Sequence, residues 1–175
     1  QDILKQIIDS PLNPKHKYVY SDLGFILLGE LVEVLSGKTL DKYLEDNFYK
    51  PMNLSHTCFR PKEKENIENI VPTIEAVDFR NSLIKGNVHD ETSALLGGVA
   101  GHAGLFSTAE DLFAICQMIL NKGEYNGKRY INAKTIDLFS KTHFAEHNNR
   151  RALGWDKPLL KGKSSHTSKY ASKNS

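Results

Sequence analysis

The sequence predicts an α+β domain that is mainly helical. Apolar residues recur at helical spacing in three segments, 23–35, 40–48 and 112–120. Residues 51–106 are instead rich in proline, glycine and scattered charge, and the short apolar stretch "NIVPTI" within them is typical of a strand. We therefore expect helices to form most of the core, joined by loops and one or two short strands.

Caps and breakers bound the helices of the first part of the chain. Residues 2–9 carry isoleucine and leucine at helical spacing, and two prolines then break the pattern. The next helix opens at Leu23 and is ended by Gly37; its broad apolar face predicts that it is buried. Thr39 is placed to cap a third helix, which Pro51 stops.

Start and stop signals return after the loop-rich region. Ser107 and Glu110 have the spacing of a capping box, and Gly123 is placed to end the helix that follows. The pair 126–127 reads Asn-Gly, a signal for a tight turn, and a short capped helix is expected from about Asn132.

The C-terminal part of the chain is predicted to hold less regular structure. The segment "RALGWDKPLL" predicts a strand with Leu153 and Trp155 on one face. Residues 157–175 are rich in serine and lysine and have little to bury, so we expect a polar tail or loop.

Composition excludes several classes of protein. Lysine and arginine total 23 against 21 acids, and the small excess lies mostly in the last residues rather than on one patterned face, so we expect no nucleic-acid partner. No apolar run approaches the roughly 18 residues of a membrane span. Cys58 and Cys116 are too few for a disulfide framework. The chain begins at Gln1 rather than Met, and we expect further polypeptide upstream.

Metal and nucleotide sites are not predicted. His89, Asp90 and His102 lack the spacing that fixes a set of metal ligands, and the loop "GGVAGHAG" lacks the lysine of a phosphate cradle. We expect neither a metal nor an organic cofactor.

One Ser-x-x-Lys motif occurs, at Ser82 and Lys85, the pattern of a nucleophile and its proton acceptor on one helical turn. With 13 serines and 18 lysines in the chain, chance supplies about one such pair. Gly86 follows at once, where the mechanism needs the helix to continue. We interpret the motif as a coincidence.

The tripeptide Tyr20-Ser21-Asp22 places polar groups at the start of an apolar helix. The positive end of the helix dipole favours a phenolate, which near a lysine would serve as a general base. Alternatively, Tyr20 packs with its hydroxyl satisfied and Ser21 is the helix cap. These residues alone leave both interpretations open.

The surrounding motifs resemble the serine β-lactamase and penicillin-binding protein superfamily, especially its class C and esterase-like branch. In consistent order the chain has Tyr20-Ser21-Asp22 as the Tyr-x-Asn motif, Ser36-Gly37, Pro51-Met52-Asn53-Leu54 and Thr57. "AGHAGLFSTAEDL" is similar to the family's glycine loop and following helix, and "ALGW" resembles the strand before its third catalytic motif. The resemblance implies part of a β-lactamase/transpeptidase-like fold.

The resemblance also implies roles for three residues. Tyr20 is expected to be catalytic, and Asp22 and His102 are expected to bind substrate, His102 through the glycine loop. Asp22 stands where the family commonly has asparagine, and an ionised carboxylate cannot donate a hydrogen bond. For His102 a purely structural role is the alternative.

The resemblance covers residues 1–156, which we expect to be the helical region of a partial serine hydrolase domain. Residues 157–175 would lead to a missing strand; the nearest match to the family's Lys/His-Thr-Gly motif, at 166–168, lacks the glycine. The family's Ser-x-x-Lys precedes the tyrosine motif and is absent from residues 1–19. The chain alone is therefore expected to be inactive.

For a parent protein the resemblance implies an acyl-enzyme hydrolase of β-lactams, D-Ala-D-Ala peptides or esters, located in the periplasm or on the cell surface. Its expected partners are the missing flanking segments of the same chain and a fused family 3 glycoside hydrolase domain. The alternative is a non-catalytic helical module that binds a peptide or partner. If a sheet is missing, apolar surface should be exposed, and self-association is expected to cover it.

Overall fold

The computed structural model describes residues 3–12, 19–75, 83–147 and 149–158. The chain divides into two compact units, Gln1–Ile115 and Cys116–Ser175, and the boundary falls inside a helix. The expectations for Ser82, for 166–168 and for most of the tail 157–175 lie outside the described residues.

The described part of the chain is mainly helical, as predicted. The helices of the first unit are α1 (Ile3–Ile8), α2 (Leu23–Ser36), α3 (Leu40–Leu44) and α4 (Glu91–Leu95). α3 continues into a π-helical turn, Glu45–Tyr49, and short 3-10 turns follow at Pro61–Glu63 and Ile67–Asn69. Helix α5 (Ala109–Leu120) crosses the boundary, and α6 (Ala133–Ser140) and a 3-10 turn, Ala145–His147, complete the second unit.

The strands are short and form three antiparallel pairs among the described residues. In the first unit, β1 (Cys58–Phe59) pairs with β4 (Leu105–Phe106), and β2 (Pro72–Glu75) pairs with β3 (Leu83–Lys85). In the second unit, β5 (Glu124–Tyr125) pairs with β6 (Lys128–Arg129). The β1–β4 pair matters most for the site because it anchors the end of the glycine-rich loop beside a buried strand.

Three predicted chain reversals are confirmed. Gly37 has φ +66° and donates its N–H to Glu33 O, so it ends α2 as a left-handed cap. Gly123, at φ +91°, donates to Met118 O at 2.8 Å and ends the turn after α5. Asn126 and Gly127 both have positive φ and join β5 to β6 in a two-residue hairpin.

The prediction that α2 is buried is wrong for one of its faces. Only Ile26 and Gly29 of this helix are buried, whereas Leu31 is 49% exposed and Val34 78%. On the packed side, Glu33 Oε1 accepts a hydrogen bond from Leu40 N at 2.8 Å. The helix therefore has a carboxylate on its packed side and an apolar stripe on its exposed side, the reverse of an ordinary surface helix.

Two local predictions are also wrong. "RALGWDKP" forms no strand within the described residues 151–158: Gly154 has φ +85° and Ala152 N donates to Trp155 O at 3.0 Å, which folds the segment into a turn. The capping box at Ser107 is replaced by a cap from Thr108, whose Oγ1 accepts from Asp111 N at 3.3 Å.

The Ser107 hydroxyl is instead part of a buried polar cluster that ties α5 to the segment before β1. Asp111 is 7% exposed, and its Oδ2 accepts from His56 N and from Thr57 Oγ1, each at 2.9 Å. Thr57 Oγ1 lies 2.8 Å from Ser107 Oγ. One carboxylate oxygen thus satisfies two buried donors from a segment distant in sequence.

We expect Asp111→Asn to lower the free energy of unfolding by about 1–3 kcal/mol, because an amide oxygen is a weaker acceptor and the new NH2 group brings donors to a site already supplied with them. Urea denaturation measures the change. Glu110→Gln, on the exposed neighbouring position, is the matched control and should change stability by less than about 0.5 kcal/mol. Equal effects of the two substitutions would contradict the role assigned to the cluster.

Candidate functional site

The tyrosine motif lies immediately before α2. The Tyr20 side chain is 69% exposed. Ser21 Oγ accepts from Leu23 N at 3.3 Å, but the N-cap position is that of Asp22, which makes no side-chain cap hydrogen bond. The interpretation of Ser21 as the helix cap is therefore wrong by one residue. The Tyr20 side chain is thus exposed just before the helix, and the Asp22 carboxylate does not cap it.

The glycine-rich loop, residues 97–104, packs directly on the first turns of α2. A Cβ on Gly101 would lie 2.0 Å from Phe25 O, and a Cβ on Gly29 would lie 3.0 Å from Gly101 N. Backbone therefore meets backbone. Gly101 requires glycine because a side chain there would force the loop away from the helix, whereas a Cβ on Gly29 would make only a tight contact. This close approach puts the loop beside the helix that directly follows Tyr20 and Asp22.

Two side chains at the start of α4 also form hydrogen bonds to the loop. Asp90 caps α4, with Oδ1 accepting from Ser93 N at 2.7 Å, and the same oxygen lies 2.8 Å from His102 Nε2. Ser93 is fully buried, and its Oγ donates to Ala103 O at 3.0 Å. Adjacent loop residues are thus tied to one helical turn.

The ring of His102 has one satisfied and one unsatisfied nitrogen. Its side chain is 3% exposed, and because an ionised Asp90 can only accept, the bond at Nε2 assigns a proton to that nitrogen. Nδ1 is buried and has no hydrogen-bond partner among the described residues. In the neutral ring Nδ1 is therefore an acceptor that no described group uses.

The loop separates two cavities of the first unit. A groove of about 340 Å³ lies between α2, the start of α3 and loop residues 100–103. A larger cleft of about 1110 Å³ lies between β3 and loop residues 97, 98 and 104, with charged side chains such as Arg60 and Lys62 in its wall. His102 lines the smaller groove.

The sequence predicted part of this arrangement. His102 does lie in a loop packed on α2, and Tyr20 and Asp22 do lie at the helix start, but the structure gives no bond that joins them to His102, and their roles stay predictions. Asp90 entered the sequence analysis only as a candidate metal ligand, and Ser93 was missed. The signal for both was the Asp-x-x-Ser spacing of a helix start.

Metal-ligand clusters and membrane spans were sought among the described residues. Residues 3–12, 19–75, 83–147 and 149–158 contain no group of three His, Cys, Asp or Glu side chains arranged to hold a metal ion. Within the same ranges, none of the helices has the length and apolar character that crossing a bilayer requires.

Two opposing effects act on the pKa of Asp90. Burial raises it, but the hydrogen bonds from Ser93 N–H and from His102, together with the charge of a protonated His102 ring, lower it below its usual range. A carboxyl with a lowered pKa binds fewer protons in the folded than in the unfolded state. Its contribution to stability is present above the unfolded pKa and is lost as pH falls through the folded one.

We therefore expect the free energy of unfolding to fall more steeply for the wild type than for Asp90→Asn between about pH 5 and pH 2. The asparagine oxygen keeps an acceptor for Ser93 N and His102 Nε2 but removes the ionising group. Chemical denaturation at several pH values measures both slopes. Parallel curves would show that the carboxylate charge contributes nothing at this position.

Comparison with known proteins places this geometry in a family. The Beta-lactamase family model matches residues 1–172. An N-acetylmuramyl-L-alanine amidase of Bacillus subtilis is 41% identical over 151 residues, covering 79% of this chain and 34% of the relative. A protein of Escherichia coli assigned as a D-alanyl-D-alanine carboxypeptidase is 37% identical over 166 residues, covering 87% of this chain and 38% of the relative.

The fold is similar to that of solved structures as well. A penicillin-binding protein from Bacillus halodurans superimposes with a TM-score of 0.55 at 21% identity, over 80% of this chain and 41% of that one. The chain spans little more than a third of the length of the two curated relatives. With its family model matched over nearly the whole sequence, and with the mainly helical fold expected from its motifs, the chain belongs to the serine β-lactamase and penicillin-binding protein superfamily.

Proposed function

We propose that this chain supplies the tyrosine and glycine-loop side of a serine hydrolase site that cleaves an amide or ester bond next to an alanine residue. The observation that carries the proposal is that Tyr20 is exposed just before α2, whose first turns pack against Gly101. A proton-handling residue and a substrate-binding loop therefore adjoin the same helix.

In this proposal a serine hydroxyl attacks the carbonyl carbon and forms an ester, while Tyr20 accepts the hydroxyl proton and delivers it to the departing amine or alcohol. Water then attacks the ester carbon and gives a proton to Tyr20, which passes it to the serine oxygen as the C–O bond breaks, and the acid product leaves. Backbone N–H groups stabilise the oxyanion of both steps. No step requires a metal or an organic cofactor.

The nucleophile in this proposal comes from polypeptide other than residues 1–175. The one Ser-x-x-Lys in the sequence ends at Lys85, and residues 83–85 form β3 rather than a helical turn. Lys85 is, moreover, within 3.7 Å of Glu68 Oε2, an ion-pair distance. The coincidence interpretation of Ser82 is supported by this strand, and by itself the chain is proposed to be inactive.

Substrate class and location are proposed from the relatives. The B. subtilis relative is named for an amide bond to L-alanine and the E. coli relative for a D-alanyl-D-alanine bond. Both names specify alanine, and the B. subtilis name adds a muramyl group. We therefore propose an alanine-containing peptide of the muropeptide type as the substrate and the periplasm or cell surface as the location. A fused glycoside hydrolase domain remains a further proposal for the whole protein.

The test is intact mass after incubation with a fluorophosphonate and with a fluorescent penicillin, on the 175-residue chain and on the full product of its gene. We expect covalent labelling of the gene product alone. In it, Tyr20→Phe should slow labelling by about 10²- to 10⁴-fold, because the general base is lost.

Tyr43→Phe is the control, since Tyr43 is a half-buried tyrosine of α3 outside the tyrosine motif; its labelling rate should stay at the wild-type value. Labelling of the 175-residue chain would contradict the proposal that the nucleophile lies outside these residues, and Ser82 would become the candidate nucleophile. If neither protein is labelled, the hydrolase proposal fails, and the alternative of a non-catalytic module that binds a peptide or partner takes its place.

A second function, binding of a partner, is favoured by the outward face of α2. Leu27, Leu31, Val34 and Leu35 lie on the face opposite Ile26 and Gly29, and each is between 39% and 78% exposed. A continuous apolar stripe of this kind is typical of an interaction surface. We propose that the chain self-associates through it when no other polypeptide covers it.

Light scattering after size exclusion should therefore show a mass that rises with protein concentration. Leu31→Glu combined with Val34→Glu should return the chain to a monomer, because two charges cannot be buried in an apolar contact without a partner. The control is Leu138→Glu in α6, which is also about half exposed at 52%. A wild-type chain that stays monomeric at all concentrations would exclude self-association.

A further inference from the structure

The larger cleft of the first unit, about 1110 Å³ between β3 and loop residues 97, 98 and 104, is a second candidate for a ligand site. Small-molecule sites usually occupy about 300–1,000 Å³, so the cleft has room for a ligand. Its wall includes the apolar side chains of Ile84, Val88 and Phe106, and none of the residues assigned to the tyrosine motif. The cleft therefore needs an explanation separate from the hydrolase site.

Lys62 is positioned in the wall of this cleft by its contact with Gly86. Gly86 has φ +70°, and a Cβ there would lie 2.7 Å from Lys62 Cγ and 3.2 Å from Ile67 Cδ1. The aliphatic stem of Lys62 therefore lies directly on the backbone just after β3, in a space that only glycine leaves. Among the described residues, the Lys62 ammonium group makes no ion pair or hydrogen bond.

Two other charged side chains of the wall have close partners. Arg60 NH2 lies 2.6 Å from Asp41 Oδ2, and Glu65 Oε1 lies 3.0 Å from His56 Nδ1. Pairs at these distances satisfy charge within the protein, so neither side chain is available to a ligand without breaking a contact.

A second cation of the wall is only weakly paired. Lys85 Nζ lies 3.7 Å from Glu68 Oε2, beyond hydrogen-bond distance, and the Glu68 side chain is 80% exposed. An exposed pair of this kind contributes little free energy, so Lys85 can add to the positive potential at Lys62. The wall therefore combines apolar side chains with positive charge that the described residues do not neutralise.

We propose that this cleft binds an organic carboxylate that carries an apolar chain, with the carboxylate at Lys62 and the chain along Ile84, Val88 and Phe106. Ions of higher charge are disfavoured, because Glu63 and Glu65 line the same wall and would repel them. Fatty acids and peptides that end in apolar residues share this chemistry. The inference does not depend on the hydrolase reaction proposed above.

The test compares hexanoate, 1-hexanol and hexylammonium, which share one apolar chain and differ in charge. Binding to the 175-residue chain is followed by NMR titration of methyl groups near neutral pH. We expect hexanoate to bind roughly tenfold more tightly than 1-hexanol, and hexylammonium to bind most weakly. The largest shifts should occur at Ile84 and Val88, and the preference should shrink at about 0.5 M salt because the charge is screened.

A second pair of ligands distinguishes the two sources of the carboxylate. N-acetyl-leucyl-leucine ends in a carboxylate, and its C-terminal amide has the same side chains without the charge. A preference for the acid in this pair would assign the cleft to a peptide end, and a charge preference confined to the hexanoate series would assign it to a fatty acid. The absence of a charge preference from both series would overturn the inference.

The decisive variant is Lys62→Met, which keeps an apolar stem beside Gly86 and removes the charge. Because Lys62 is exposed, we expect the stability of this variant to stay near that of the wild type and its preference for hexanoate over 1-hexanol to disappear. Lys50→Met is the matched control: it removes the same charge from the first unit, but Lys50 is 66% exposed and does not line the cleft, so the preference should survive.

Two further results would contradict the site. Equal loss of the preference in both variants would show a general effect of net charge, and shifts confined to Leu31 and Val34 would place the chains on the exposed face of α2. If Lys62→Met does not fold, the salt dependence and the positions of the shifts in the wild type decide. Each of these results leaves fluorophosphonate labelling of the gene product untouched, so the inference and the proposed function fail separately.

Discussion

The contact of the glycine loop with α2 is the constraint on which the candidate site depends. Because Gly101 lies where a Cβ would be 2.0 Å from Phe25 O, the loop backbone sits directly on the helix rather than on its side chains. The distance between the loop backbone and the helix determines where His102 and Ala103 lie. Hydrogen bonds to Asp90 and from Ser93, at the start of α4, then hold these two residues in place. A methyl group at Gly101 would displace the loop from the helix and break these hydrogen bonds, since each tolerates only a narrow range of distance and angle.

Helix α2 serves two surfaces at once. Its inner side meets the loop through glycine and binds the start of α3 through Glu33, while its outer side presents leucine and valine. An apolar stripe that faces outward is unfavourable for an isolated domain, and it is the expected result when a helix belongs to a larger core. The relatives, of which this chain spans little more than a third, are long enough to hold such a core.

The charged side chains described in the first unit mainly stabilise turns and helix starts. The wall of the groove between α2 and the glycine loop is mostly apolar. Glu45, at the start of the π-helical turn, lies within 3.0 Å of both Lys42 and Lys64, and hydrogen bonds from these lysines lower its pKa to about 2. Asp111 and Asp90 each satisfy two donors. His102, a residue of the groove wall, has a buried Nδ1 with no hydrogen-bond partner among the described residues.

The sequence by itself determined the mainly helical class, the helix ends at Gly37 and Gly123, the Asn-Gly hairpin and the family, because these depend on local φ preferences, on periodicity and on short motifs in order. Only the tertiary structure decided which face of α2 is covered, that Thr108 rather than Ser107 caps α5, and that "RALGWDKP" is a turn. These depend on what lies opposite each side chain, as when Thr57 draws the Ser107 hydroxyl away from its own helix. The pairing of Asp90 with His102 belongs to the same class: a loop of glycines must first lie on α2 before residues twelve apart can share a hydrogen bond.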